Sequence, residues 1–247
     1  MCSGDIAKAK FDADIVYHLG MYSASPMYRK NPTLLGRVTS EMINVLEYVK
    51  RYEIPLIFAS TSSIYNGVKP PHIEDAKYLV MDYYTEGRIF CERISELYNI
   101  LYGVNVAAMR FFSVYGQHEE AKKEYANLVS QFMWDIRKGR RPIIYGDGSQ
   151  RRDFVFVSDV VDALIKASKI KGFEVFNIGT GKSYTFNAMV SMLNSKMKKN
   201  IKPKYIKMPV KNYVNETLAD TRKSQNILDF RARISLNKGI GLLLGSK

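Results

Sequence analysis

Cysteine is nearly missing. Cys2 and Cys91 are the only two in 247 residues, too few for a disulfide scaffold and wrongly spaced for a zinc site. A reducing, cytoplasmic setting fits. The three histidines, His18, His72 and His118, lie far apart, so no local metal cluster is supported and no metal is expected. No apolar run reaches the ~18 residues of a membrane span, and no secretory leader is visible; neither a span nor a membrane partner is expected. Acid is short as well. Against 37 Lys and Arg stand 24 Asp and Glu, a net charge of +13. Such an excess suits polyanions or anionic small molecules such as nucleotide phosphates. No zinc-finger or RNA-recognition signature accompanies it, so nucleic acid is not expected. The two denser basic runs, residues 137–141 and 196–207, read as solvated faces. With 46% hydrophobic residues, the chain can bury a core of one large domain, or of one domain with a smaller lobe.

Two glycine patterns are also missing. "NIGTGKS" invites a phosphate-loop reading, but the Walker pattern needs a glycine where Phe176 stands. Gly179 and Gly181 read instead as a turn. No G-x-G-x-x-G occurs anywhere, which removes the usual dinucleotide fingerprint.

What is present alternates. "ADIVYHLG" (13–20) reads as a short strand and "TSEMINVLEYVKRYEI" as a helix with Met42, Leu46 and Val49 on one stripe. "IPLIFASTSSIY" is a nearly continuous apolar run, as in a strand buried on both faces. A helix follows over 83–101, then the strand of "VNVAAMRFFSVYG". This rhythm predicts an α/β fold with an open parallel sheet. Residues 1–116 form its main domain, completed by parts of 150–180, and 117–247 form mostly a smaller mixed lobe. In that lobe 125–139 reads as a helix, Ser158 or Asp159 as a helix cap, and "NIKPKYIKMP" as an edge strand. Ligands of such sheets bind at the carboxyl ends of the strands, where "STSS" and "FFSVYG" stand.

"DYYTEGRIFCE" (82–92) sets Tyr84 four residues before Arg88, on one helical face. A phenol near a cation can serve as acid or base; these residues alone favour a plain surface pair. His18, at a strand end, reads by itself as a structural hydrogen-bonding group.

Taken in order, "DIVYHLG", "NVLE", "IFASTSSIYNG", "YTEGRIFCE", "RFFSVYG", "GDGSQRRDFVFVSDVVDAL", "VFNIGTG" and "LADTRKSQNIL" resemble the extended short-chain dehydrogenase/reductase family. The likeness is to its NAD-dependent nucleotide-sugar epimerases and dehydratases, of the UDP-glucose 4-epimerase type. The resemblance implies a Rossmann-like sheet, NAD as cofactor and a nucleotide-diphosphate sugar as substrate. It also implies a homodimer packed through the helices over 39–52 and 83–101. Thr61 falls on the residue that bonds the sugar oxygen, and Tyr84 on the proton-transferring tyrosine. Arg88 falls where the family has the lysine that bonds the nicotinamide ribose. His18, Gly20 and Ser60 join Tyr84 and Arg88 on the cofactor side, and Ser113 and Arg152 join Thr61 on the substrate side. Ser62-Ser63 after Thr61, where dehydratases carry an acidic pair, favours an epimerase.

Departures are specific: Arg88 for lysine, Ser113 for asparagine, Glu41-Met42 for a small pair, and Lys211 as a displaced substitute for a second arginine. The family's first βαβ unit, roughly 50 residues bearing the glycines, has no counterpart in the sequence, so the sheet is expected to be incomplete at the N-terminus. A fragment or misassigned start, a degenerate copy, or completion by another chain would account for it. The competing functional expectation is therefore a non-catalytic or truncated relative that binds a nucleotide-sugar or a partner chain.

Overall fold

A computed structural model describes residues 6, 13–77, 79, 82–208 and 213–245; Cys2 and Lys211 lie outside them. Its main sheet has four parallel strands in the order β1 (Val16–His18), β2 (Leu56–Thr61), β3 (Val106–Phe111) and β7 (Phe173–Ile178). The rest of the α/β rhythm supplies the crossovers, since parallel neighbours need long connections. Pairing runs from Leu56↔Val106 to Thr61↔Phe111 and from Val106↔Phe173 to Phe111↔Ile178. This register brings Thr61, Phe111 and Ile178 level at the carboxyl edge. β2 and β3 are buried almost throughout, as their unbroken apolar runs require.

Helices α2 (Leu34–Tyr52) and α3 (Tyr83–Tyr102) cover one face, packing Met42, Leu46 and Val49 around Leu56 and Phe58. α3 starts in a capping box, with the Asp82 carboxylate accepting from Thr85 N–H at 2.9 Å. α5 (Val157–Ala167) and α7 (Arg222–Leu228) cover the other face, through Val160, Leu164 and Leu228. The short α1 (Ser25–Lys30) packs on α3.

The lobe holds two small sheets. One joins β4 (Ser113–Tyr115), β6 (Arg151–Phe156) and β8 (Ser183–Thr185); the other pairs β5 (Ile143–Tyr145) with β9 (Lys204–Ile206). Around them α4 (Leu128–Arg137), α6 (Phe186–Met197) and α8 (Leu236–Gly245) enclose a second core that includes Phe132, Phe186 and Leu236.

Two expectations need correction. The helix expected over 125–139 is α4 alone, capped by the Asn127 side chain on Val129 N–H at 3.0 Å, and a 3-10 segment occupies Glu119–Tyr125. Neither Ser158 nor Asp159 caps α5. Its cap position is Phe156, and the Asp159 carboxylate instead accepts the N–H groups of Arg233 and Ile234, at 3.1 and 3.0 Å. The tail's backbone claimed the acid that sequence reasoning gave to the helix.

Candidate active site

A cleft of about 1270 Å³ opens over the carboxyl edge of the main sheet, between that sheet and the lobe. Thr61, Tyr84 and Arg88 stand on one wall, Ser113 and Arg152 on the other. Five residues from four separate segments of the sequence thus meet on one cavity.

Thr61 ends β2 and is 5% exposed. Its Oγ1 accepts Ser63 N–H at 3.1 Å, capping the 3-10 turn Ser62–Tyr65. A hydroxyl that accepts in this way keeps its own hydrogen free to donate. Ser60 also borders the cleft, but its O–H donates to Glu92 Oε1 at 2.5 Å.

Tyr84 and Arg88 are 7% and 2% exposed, which rules out the plain surface pair. Helical spacing places the guanidinium carbon 5.2 Å from the Tyr84 ring centre. Arg88 Nη2 donates to the Tyr22 carbonyl at 2.7 Å, and Nη1 points at the Met21 sulfur. Its Nε is buried without a hydrogen-bond partner, and among the described residues no carboxylate pairs with this cation. Arg88 therefore ties the segment after β1 to α3. His18 is not among the residues that line the cleft, while Leu19 and Met21 are. His18 Nε2 is buried without a partner. Burial first, then the Arg88 charge, lowers the His18 pKa to about 4. Gly20 is exposed.

Across the cleft, Arg152 is partly buried between the rings of Phe186 and Tyr213, each centred 5.3 Å from its guanidinium carbon. It donates to the carbonyls of Arg151, Val214 and Asn215. Again no carboxylate answers the charge among the described residues, and burial pulls its pKa down. Tyr213 and Val214 bring the segment after β9 to the same wall.

Sequence reasoning missed the groups behind the site. Arg110, 3% exposed on β3, meets Glu92 in a two-pronged pair at 2.9 and 2.7 Å. It also donates to Tyr65 Oη at 2.7 Å and to the Glu74 carbonyl at 2.8 Å. Tyr65 O–H passes on to Asn177 at 2.8 Å. Burial would lower Arg110, yet the Glu92 carboxylate holds it above the usual guanidinium range. The available signal was spacing, since Glu92 stands two helical turns beyond Tyr84. Asp153 was overlooked too. Fully buried, it accepts from Thr180 N–H, Gly181 N–H and Ala219 N–H at 2.8, 2.9 and 3.1 Å. A carboxylate thus fills the mouth of the "NIGTGKS" turn and engages the donors a phosphate would need. A Cβ on Gly179 would come within 2.8 Å of that carboxylate, so glycine there serves close packing. Among the described residues no group of three or more His, Cys, Asp and Glu is placed to hold a metal ion.

A parallel sheet whose carboxyl edge meets a mixed lobe across a cleft, with a buried Tyr-x-x-x-Arg unit on the wall, defines a Rossmann-like protein of the short-chain dehydrogenase/reductase type. Residues 4–179 match the model of the NAD dependent epimerase/dehydratase family, and the chain belongs to that family. It is 33% identical over 236 residues to the UDP-glucuronate 4-epimerase of Thermodesulfobacterium geofontis, covering 93% of this chain and 71% of that relative. The UDP-glucose 4-epimerase of Thermotoga maritima, solved with UDP-glucose, superposes with a TM-score of 0.88 at 28% identity, over 94% of this chain and 76% of that one. MoeE5, solved with UDP-glucose and NAD, gives 0.88 at 28% identity, over 98% and 83%.

Proposed function

We propose that this chain is an NAD-dependent nucleotide-sugar epimerase of the UDP-glucose 4-epimerase type, acting in the cytoplasm through transient oxidation at sugar C4. The observation that carries the reading is the shared cleft, with a hydroxyl and phenol on one wall and an unneutralised arginine on the other. Arg152 is oriented by its two flanking rings to meet a diphosphate. Ser113 borders the same space. Thr61 donates its hydrogen to the sugar oxygen, and Tyr84 takes the hydroxyl proton and later returns it. Arg88 keeps positive charge beside the phenol through both transfers.

The residues present fit the nicotinamide-ribose end of NAD: a phenol, a cation one turn on, and a buried Arg88 Nε without a partner. When bound, NAD takes up a hydride and gives it back. Tyr84 and Arg88 would hold that end, with Ser60 and the segment of His18 and Gly20 beside them. Ser62 and Ser63, directly after Thr61 on the cleft, lack the acid–base capacity that eliminating water requires, which supports epimerisation over dehydration.

We also assign a homodimer through α2 and α3. Leu97, Ile100 and Leu101 share one face of α3 and are 44 to 71% exposed, and Ile43 on α2 is 37% exposed; exposed apolar side chains grouped in this way mark a protein interface. Sedimentation equilibrium should give twice the chain mass, and Ile100→Lys should return it to one.

The reading is tested by titrating the folded chain with NAD and NADH in a calorimeter, then assaying conversion of UDP-glucose to UDP-galactose. Stoichiometric binding and a Tyr84→Phe variant that binds normally but converts at least about a hundredfold more slowly are expected. UDP-glucose binding with no heat from cofactor at millimolar concentration would overturn it. That result would leave a non-catalytic nucleotide-sugar binder, a reading favoured by the engagement of Arg88 with Met21 and Tyr22.

A further inference from the structure

The two basic runs read in the sequence as separate solvated faces are one surface in the fold. α4 ends at Arg137 and α6 at Met197, and the strands that follow them, β5 and β9, pair in parallel from Ile143↔Lys204. Between helix and strand, the Arg141 guanidinium donates to the carbonyls of Lys202 and Pro203, at 3.1 and 2.8 Å. Four cations from residues 137–141 and five from 196–204 therefore gather at one end of the lobe. All nine are exposed. Arg140 pairs with Asp135; among the described residues none of the other eight is in an ion pair. Residues 136–146 and 194–215 contain no Asp or Glu at all.

Helix polarity accounts for only part of this. Cations in a last turn are favourable there, which covers Arg137 and Lys196, but Arg141, Lys202 and Lys204 lie beyond either helix. A second feature accompanies the charge. Ile143, the register partner of Lys204, is 51% exposed and stands outside the cleft, whereas Tyr145, two residues on along β5 and 37% exposed, borders it. An exposed aliphatic side chain among lysines suits a surface that is anionic outside and apolar just beneath. Isoleucine has no ring to stack on a base, so Ile143 adds nothing for a nucleic acid.

We propose that this end of the lobe is a docking surface for an anionic lipid bilayer, holding the protein peripherally at the headgroup level. The cations supply attraction, at about a fivefold gain in partitioning for each one near the surface, and Ile143 enters the interfacial region. The expectation of no membrane partner rested on the lack of a spanning run, which does not bear on a peripheral contact. The proposal is independent of any enzymatic activity.

Flotation of the whole chain with vesicles tests it. Vesicles with about a third phosphatidylglycerol in phosphatidylcholine should carry the protein at about 0.1 M salt and release most of it at about 0.5 M. Pure phosphatidylcholine should carry little. Lys198→Ala with Lys199→Ala and Lys202→Ala should lower partitioning about a hundredfold. Lys169→Ala with Lys171→Ala, exposed lysines elsewhere, should leave it within about twofold. Ile143→Ser should weaken binding several-fold while keeping the salt dependence. Equal recovery with neutral and anionic vesicles would overturn the proposal, as would equal loss in the Lys169/Lys171 control. So would tighter binding to a single-stranded RNA oligonucleotide that Ile143→Ser leaves unchanged, which would make the surface a nucleic-acid one.

Discussion

Arginines stand on the two sides of the carboxyl edge, and their surroundings differ in kind. Behind the edge, Arg110 has a carboxylate in a two-pronged grip and a tyrosine hydroxyl beside it. Along the cleft, Arg88 and Arg152 rest on aromatic rings and carbonyl oxygens, with no acid opposite either among the described residues. A buried charge costs free energy unless paired. Where the chain has supplied the pair, the arginine serves structure: Glu92 and Arg110 fasten α3 to β3, and Ser60 joins them from β2. Where no acid is supplied, the proposed function assigns the charge to a bound anion. Arg110 is held by an acid, whereas Arg88 and Arg152 are held by carbonyls and ring faces.

The contrast breaks most visibly at Glu92. Glu92→Ala leaves Arg110 buried without its counter-charge, and removing one partner of such a pair costs about 3–5 kcal/mol. Urea denaturation should show that loss, together with a melting temperature lower by roughly 10 °C, at about 2–4 °C per kcal/mol for a chain of this size. A loss below about 1 kcal/mol would mean that water reaches Arg110, and the division between structural and receptive arginines would fall with it.

How much of this could be read beforehand depends on the range of the interactions. Parallel strands and their covering helices were legible because β2 and β3 are unbroken apolar runs and α2 has its apolar residues on one stripe. The sites of Thr61, Tyr84, Arg88, Ser113 and Arg152 were legible as positions in a motif order, and they meet on one cleft. The partners were not legible. Nothing in "RRDF" says that Asp153 will close on the Gly179–Gly181 turn, and nothing local to Asp159 says that residues 233 and 234 will claim it. Nor did spacing reveal that Arg88 would be drawn to Met21 and Tyr22. These contacts join segments tens of residues apart, and they depend on register, which a periodicity does not contain.

The receptive side should respond in binding rather than in stability. On the proposed function, Arg152→Ala would remove charge-assisted hydrogen bonds to a diphosphate, worth about 2–3 kcal/mol, so UDP affinity should fall roughly 30- to 150-fold by calorimetry. Unfolding free energy should change by no more than about 1 kcal/mol, because only carbonyls and ring faces are released. If stability and affinity fell together, Arg152 would belong with Arg110.

His18 sharpens the comparison through pH. Its folded pKa of about 4 lies below the ordinary 6.5, so the unfolded chain binds the extra proton first as the solution is acidified. The native state is therefore favoured above pH 6.5 and loses that advantage as the pH falls toward 4. Between pH 7 and 5 the loss from this residue is about 2 kcal/mol. His18→Asn should flatten the stability profile in that interval by a similar amount. An unchanged slope would show that His18 takes up its proton in the folded chain despite the Arg88 charge beside it.

The smallest effect is expected at Arg88 itself, and it is the most discriminating. Arg88→Lys keeps the charge while discarding the planar head. The variant forfeits the donation to Tyr22, and it also removes the buried Nε that has no partner. These changes oppose each other, so stability should move by less than about 1 kcal/mol in either direction. NADH affinity should hold or improve, because a lysine head is compact and freed from the two-point contact with Met21 and Tyr22. A large destabilisation would assign Arg88 to the structural class with Arg110, its main task being to tether the segment after β1. Unchanged stability with altered NADH binding would leave it as the charge beside Tyr84 that the cleft holds for its cofactor.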